Sequence, residues 1–99
     1  MFYAILSEDV ANSGPLRAKA RPEHLARLEC MQDKGALIIA GPCPAIDSPD
    51  PGAAGFTGSI VIGEFNSLDD AKQWASEDPY MKAGVYASVT VKPFKLVLP

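Results

Sequence analysis

The sequence contains one histidine, His24, and two cysteines, Cys30 and Cys43, thirteen positions apart with no CxxC or HxxxH spacing beside them. Zinc and redox centres need clustered His and Cys, so neither is expected, and no metal or other cofactor is implied. Asp47 and Asp50 lack the glycine and glutamate pattern of a calcium loop. No apolar run approaches the length of a membrane span, and Met1–Leu6 is too short even for the apolar part of a secretion signal. A cytoplasmic protein with reduced thiols and no membrane partner is therefore the expectation. Basic residues are also scarce, 9 Lys and Arg against 12 Asp and Glu for a net charge of −3, which disfavours a nucleic-acid partner. Arg17, Lys19, Arg21 and Arg27 do cluster, but Glu23, Glu29 and Asp33 interleave with them, which reads as a solvated helix face. Phosphate-cradling glycine loops and nucleophile elbows are absent.

What is present is a chain of 99 residues, 47% of them hydrophobic, enough for one globular domain over 1–99 and not for two. Met1–Ser7 reads as a strand, apolar at successive positions. Leu16–Ala20 has the composition of a short helical turn, and Pro22 suits the first position of a main helix running to about Lys34, with Gly35 as its left-handed cap. Ala36–Ala40 is a second strand. Gly41–Gly58, rich in proline and glycine, reads as a long loop of the kind that is often functional. Ser59–Phe65 is a third strand. Ser67 is an N-cap for a second helix whose buried face is Leu68, Ala71, Trp74 and Ala75. Pro79 ends or restarts that helix, and Val85–Leu98 forms a last strand, which Pro93 confines to an edge or a bulge. The order is βαββαβ, the split plan of an α+β ferredoxin-like sandwich. Two helices cover one face of its sheet, yet the strands are apolar on both, so a homodimer packed sheet against sheet is expected.

His24 is the natural candidate for chemistry. As the third residue of a helix beginning at Pro22, it would lie in a field that keeps the ring neutral and basic; a structural histidine bonded to a carbonyl is the other reading. Asp78, before Pro79, is either a turn former at the end of the second helix or the histidine's partner, and a separation of 54 positions does not decide. Arg21, one turn before His24, would attract an anionic substrate group. Gly41 would let a ligand approach the backbone and Ser59 would donate to it, although turn geometry alone also accounts for Gly41 and Gly58.

Arg21-Pro22-Glu23-His24-Leu25, Gly35, Ala40-Gly41-Pro42, the stretch Asp50-Pro51-Gly52-Ala53-Ala54-Gly55-Phe56-Thr57-Gly58-Ser59, Asp78-Pro79-Tyr80, Gly84-Val85-Tyr86 and Val91-Lys92-Pro93-Phe94 together resemble the YciI-like (YCII-related) family, from Met1 to about Val97. The resemblance implies a dimeric ferredoxin-like α+β barrel. It also implies a pocket with a catalytic histidine and aspartate, which fall on His24 and Asp78. Such a pair suits proton transfer, since a carboxylate fixes the imidazole tautomer and stabilises the imidazolium. The expected function is proton abstraction or elimination on a small polar molecule. A histidine nucleophile is a variant of it, and a non-catalytic ligand-binding dimer the alternative.

Overall fold

A computed structural model describes all of residues 1–99. Its elements run β1 (Phe2–Asp9), α1 (Gly14–Asp33), β2 (Leu37–Pro44), a single 3₁₀ turn (Gly52–Ala54), β3 (Phe56–Glu64), α2 (Leu68–Ser76), α3 (Pro79–Lys82) and β4 (Tyr86–Phe94). The strands form one antiparallel sheet in the order β2-β3-β1-β4. This is the ferredoxin-like α+β arrangement read from the sequence.

The boundaries differ where proline was taken as a stop. α1 begins at Gly14 rather than Pro22, with Pro15 in its first turn and Pro22 inside it. An interior proline loses one hydrogen bond and costs about 3 kcal/mol. Arg17, Ala20, His24, Leu28 and Met31 fall on one buried face, and their burial holds the helix together across that defect. His24 therefore sits mid-helix, away from the N-terminal field expected of it. The C-terminus closes as expected: Gly35, at φ 72°, donates to the Gln32 carbonyl and Ala36 to that of Met31.

The loop expected over Gly41–Gly58 is shorter. β2 continues through Gly41-Pro42-Cys43-Pro44 and β3 begins at Phe56, so only residues 45–55 lie outside the strands. β2 is an edge strand, where a proline can turn its missing donor away from the ladder. Pro93 is tolerated on the other edge, β4, for the same reason. Neither Gly41 nor Gly58 is in a turn. A Cβ at Gly58 would lie 2.2 Å from the Ser7 carbonyl oxygen, so that glycine lets β1 and β3 approach each other.

Alternation along β1 sends Tyr3, Ile5 and Ser7 toward the helices and Leu6 outward. Ile5, Leu28, Val61 and Ala75 form one core, flanked by Leu25, Leu37, Phe65 and Trp74. Ala20, Tyr80 and Val85 form a second, smaller one. Between Glu8 and Asp9 the β1–β4 register slips, so that Ser88 faces Glu8 but Tyr86 faces Asp9. That bulge brings Tyr86 against the second core, edge-on to Tyr80 at 5.7 Å.

Candidate functional site

A cavity of about 540 Å³ lies between the two cores, bounded by Leu25, Leu28 and Val61 on one side and Tyr80 on the other. Arg21, His24, Gly41 and Ser59 all line it, together with Gly52, Gly55 and Phe56 from the end of the 45–55 loop and the start of β3. Asp78 stands behind His24, and both side chains are more than nine-tenths buried.

The dyad is built by local rules. Asp78 is the N-cap of α3, with Oδ1 accepting from the Tyr80 amide at 2.9 Å. It was expected at the unfavourable C-terminal end of the second helix; Pro79 instead starts a new helix, so the carboxylate caps a positive end. The same Oδ1 lies 2.8 Å from His24 Nδ1, and Oδ2 lies 3.0 Å from it. An ionised carboxylate only accepts, so in the neutral-ring form of this pair Nδ1 would carry the proton and Nε2 the lone pair. Nε2 has no hydrogen-bond partner within the protein. Tyr80 stacks on the imidazole at 3.9 Å with the rings 5° from parallel, which fixes its plane.

Beside the dyad stands a residue the sequence reading left on a solvated face. Arg17 is buried. Its Nε and Nη2 donate to the two Asp9 oxygens at 2.6 and 2.8 Å, and Nη2 also reaches the Gly58 carbonyl and Ser59 Oγ, each at 2.9 Å. Ser13 donates to the same Asp9 carboxylate. The guanidinium lies over the rings of Tyr80 and Phe56, at 5.1 and 5.5 Å. Burial opposes its charge, but Asp9, Tyr86 and Tyr80 outweigh that, and its pKa is raised. Ser59 is thus committed to Arg17, and its expected role as a ligand donor is not separate from that contact. Arg27, from the same basic group, packs over Trp74 at 4.3 Å and donates to the Trp74 carbonyl. Lys19 and Arg21 stay exposed, and of these two Arg21 stands at the cavity edge.

Two phenols complete the surroundings. Burial raises the pKa of Tyr80, against the pull of Arg17 and Arg21. Burial pushes Tyr86 up to about 12, which the Ser59 hydroxyl moderates without cancelling. Both are neutral at physiological pH. No group of three or more His, Cys, Asp or Glu side chains converges anywhere in the chain. The arrangement presents a ring nitrogen able to take a proton, a carboxylate behind it to stabilise the imidazolium, and cationic donors nearby.

The chain as a whole has relatives. Protein YciI of Escherichia coli O6:H1 is 59% identical over 97 residues, covering 98% of this chain and 99% of that protein. An uncharacterised protein of Haemophilus influenzae is 53% identical over the same length, with the same coverage. Among solved structures, 5-chloro-2-hydroxyhydroquinone dehydrochlorinase (TftG) of Burkholderia phenoliruptrix, in complex with 2,5-dihydroxybenzoquinone, superposes with a TM-score of 0.83 at 29% identity, covering 96% of this chain and 94% of that one. The model of the YCII-related domain matches residues 1–95, which include His24, Asp78 and every residue that lines the cavity, and on that match and those identities the chain belongs to the YCII-related domain family.

Proposed function

We propose that this protein is an enzyme in which His24 Nε2 abstracts a proton from a small polar molecule held in the cavity. Asp78 keeps Nδ1 protonated and stabilises the imidazolium that forms. The electron pair of the broken bond to hydrogen then moves into a new double bond. In an isomerisation the proton returns elsewhere; in an elimination a leaving group departs with its electrons. The observation that carries this reading is the contact of His24 Nδ1 with both Asp78 oxygens, which leaves Nε2 as the ring nitrogen free for a ligand. The similarity to a dehydrochlorinase supports an elimination, and the exposed Arg21 at the cavity edge suits a substrate with negative charge. Gly41 and Ser59 belong to the substrate-binding wall in this reading.

The active species is a cytoplasmic homodimer that binds no nucleic acid. Leu6, Ile60 and Ile39 lie on the sheet face without helices, each more than a third exposed, and a second copy of the chain is the partner that covers them. The function is tested by thermal-shift screening of the purified protein against a metabolite set that includes 2,5-dihydroxybenzoquinone, followed by turnover assays on every stabilising compound. For an active compound, His24→Ala and Asp78→Asn each lower the rate by about 10²–10⁴-fold while binding is largely kept. The double variant is little slower than the slower single one, because the two side chains act as a unit. Stabilising compounds that no condition turns over, with affinity lost in His24→Ala, would instead establish a binding protein.

A further inference from the structure

We propose that Arg17, buried and outside every motif that marks the pocket, is the anion anchor of this cavity, and that its ligand is a small planar acid: a carboxylate, phenolate or enolate. This deepens the proton-abstraction reading by naming the class of molecule, but it concerns binding alone.

Three observations carry it. Arg17 is held rigidly, with Nε and Nη2 spent on Asp9, Gly58 and Ser59. Beyond these and a contact with the Tyr80 hydroxyl, the guanidinium has no further side-chain partner, and Nη1 is not sealed off from the cavity that Arg17 lines. One donor edge is therefore preorganised and open, so a ligand oxygen meeting it costs no side-chain ordering. Second, the charges are arranged in depth. Asp9 stands behind Arg17 and Asp78 behind His24, while no carboxylate lines the cavity. A ligand in the cavity meets donors in front and acids at the back. Third, Tyr80 and Phe56 carry the guanidinium over their rings, which leaves its edge for recognition, and an oxygen acceptor is bound best in the guanidinium plane. The imidazole and the guanidinium both lie against the Tyr80 ring, at 3.9 and 5.1 Å from its centroid, and both residues line the cavity.

Arg21 carries the same charge but is exposed, so its attraction is shared with water and screened by salt. That difference gives the test. Benzoate and its neutral isostere benzamide are titrated by calorimetry into the wild-type protein, into Arg21→Met, and into the double variant Asp9→Asn with Arg17→Met. The double change removes both members of the buried pair and leaves Ser13 an acceptor. The proposal expects benzoate to bind the wild type at least about tenfold more tightly than benzamide. Arg21→Met keeps most of that preference, also at high salt, and the double variant loses it while benzamide affinity is unchanged. Equal binding of the two probes, no binding of either, or a preference that disappears in Arg21→Met and survives in the folded double variant would overturn it. Should the double variant not fold, the Arg17 guanidinium resonances of the wild type decide: benzoate must shift them and benzamide must not. Since every readout is a binding readout, the anchor can fail while His24 remains a base, and the reverse.

Discussion

At the residue scale the buried ion pair has consequences of its own. Arg17→Met alone leaves the Asp9 carboxylate buried at 1% side-chain exposure without its cation, and about 3–5 kcal/mol of stability should be lost in urea unfolding. The paired change Asp9→Asn with Arg17→Met should cost clearly less, because it leaves no orphaned charge. Tyr86 supplies a pH-dependent counterpart. An unfolded tyrosine ionises near pH 10, whereas burial holds Tyr86 protonated to about 12. The unfolded chain therefore gains from ionising first. Its contribution to stability is complete below pH 10 and falls as pH rises toward 12. Tyr86→Phe should flatten that fall in urea titrations across the window, with the remainder belonging to Tyr80, which is raised in the same direction. His24 and Asp78 were legible as a pair through the family motifs, though not through spacing. Arg17 was hidden because four basic side chains among three acids look like a wet helix face. The signal that could have found it is phase: Arg17 lies two turns before His24, on the stripe that continues through Leu28 and Met31.

Elements show what glycine and proline do at sheet edges and inside helices. Gly58→Ala would drive a methyl group into the Ser7 carbonyl, so β1 and β3 must separate, at a cost of about 1–3 kcal/mol or more. Gly41→Ala, with nothing within 4 Å of the new atom, should change stability by no more than about 0.5 kcal/mol in the same denaturation assay. A comparable loss in both would show that Gly58 is not a steric contact. The order of elements, the cap at Gly35 and the N-cap at Ser67 could all be read from local chemistry, and the Ser67 side chain does accept from the Asp70 amide. The extents of α1 and β2 could not. Proline's local preference stops a helix or a strand, and only tertiary burial or an edge position overrides it. Pro22→Ala restores a donor to α1, and a rise in thermal stability is the expected result.

For the whole molecule the open sheet face is the feature that matters. Light scattering at micromolar concentration should give twice the chain mass, as expected if on the order of 1,600 Å² is buried between two copies. Leu6→Asp, placed at a position 36% exposed on that face, should yield monomer without unfolding the sheet; a wild-type protein that is monomeric at every concentration would refute the dimer. The two hydrophobic cores hold a further implication. Tyr80 of the smaller core and Leu28 and Val61 of the main one face each other across the cavity. A molecule seated there becomes part of the interior. Occupancy should then slow hydrogen exchange along Pro79–Gly84 and draw the two cores into one cooperative unit, so that the sharpness of the unfolding transition reports whether the cavity is filled.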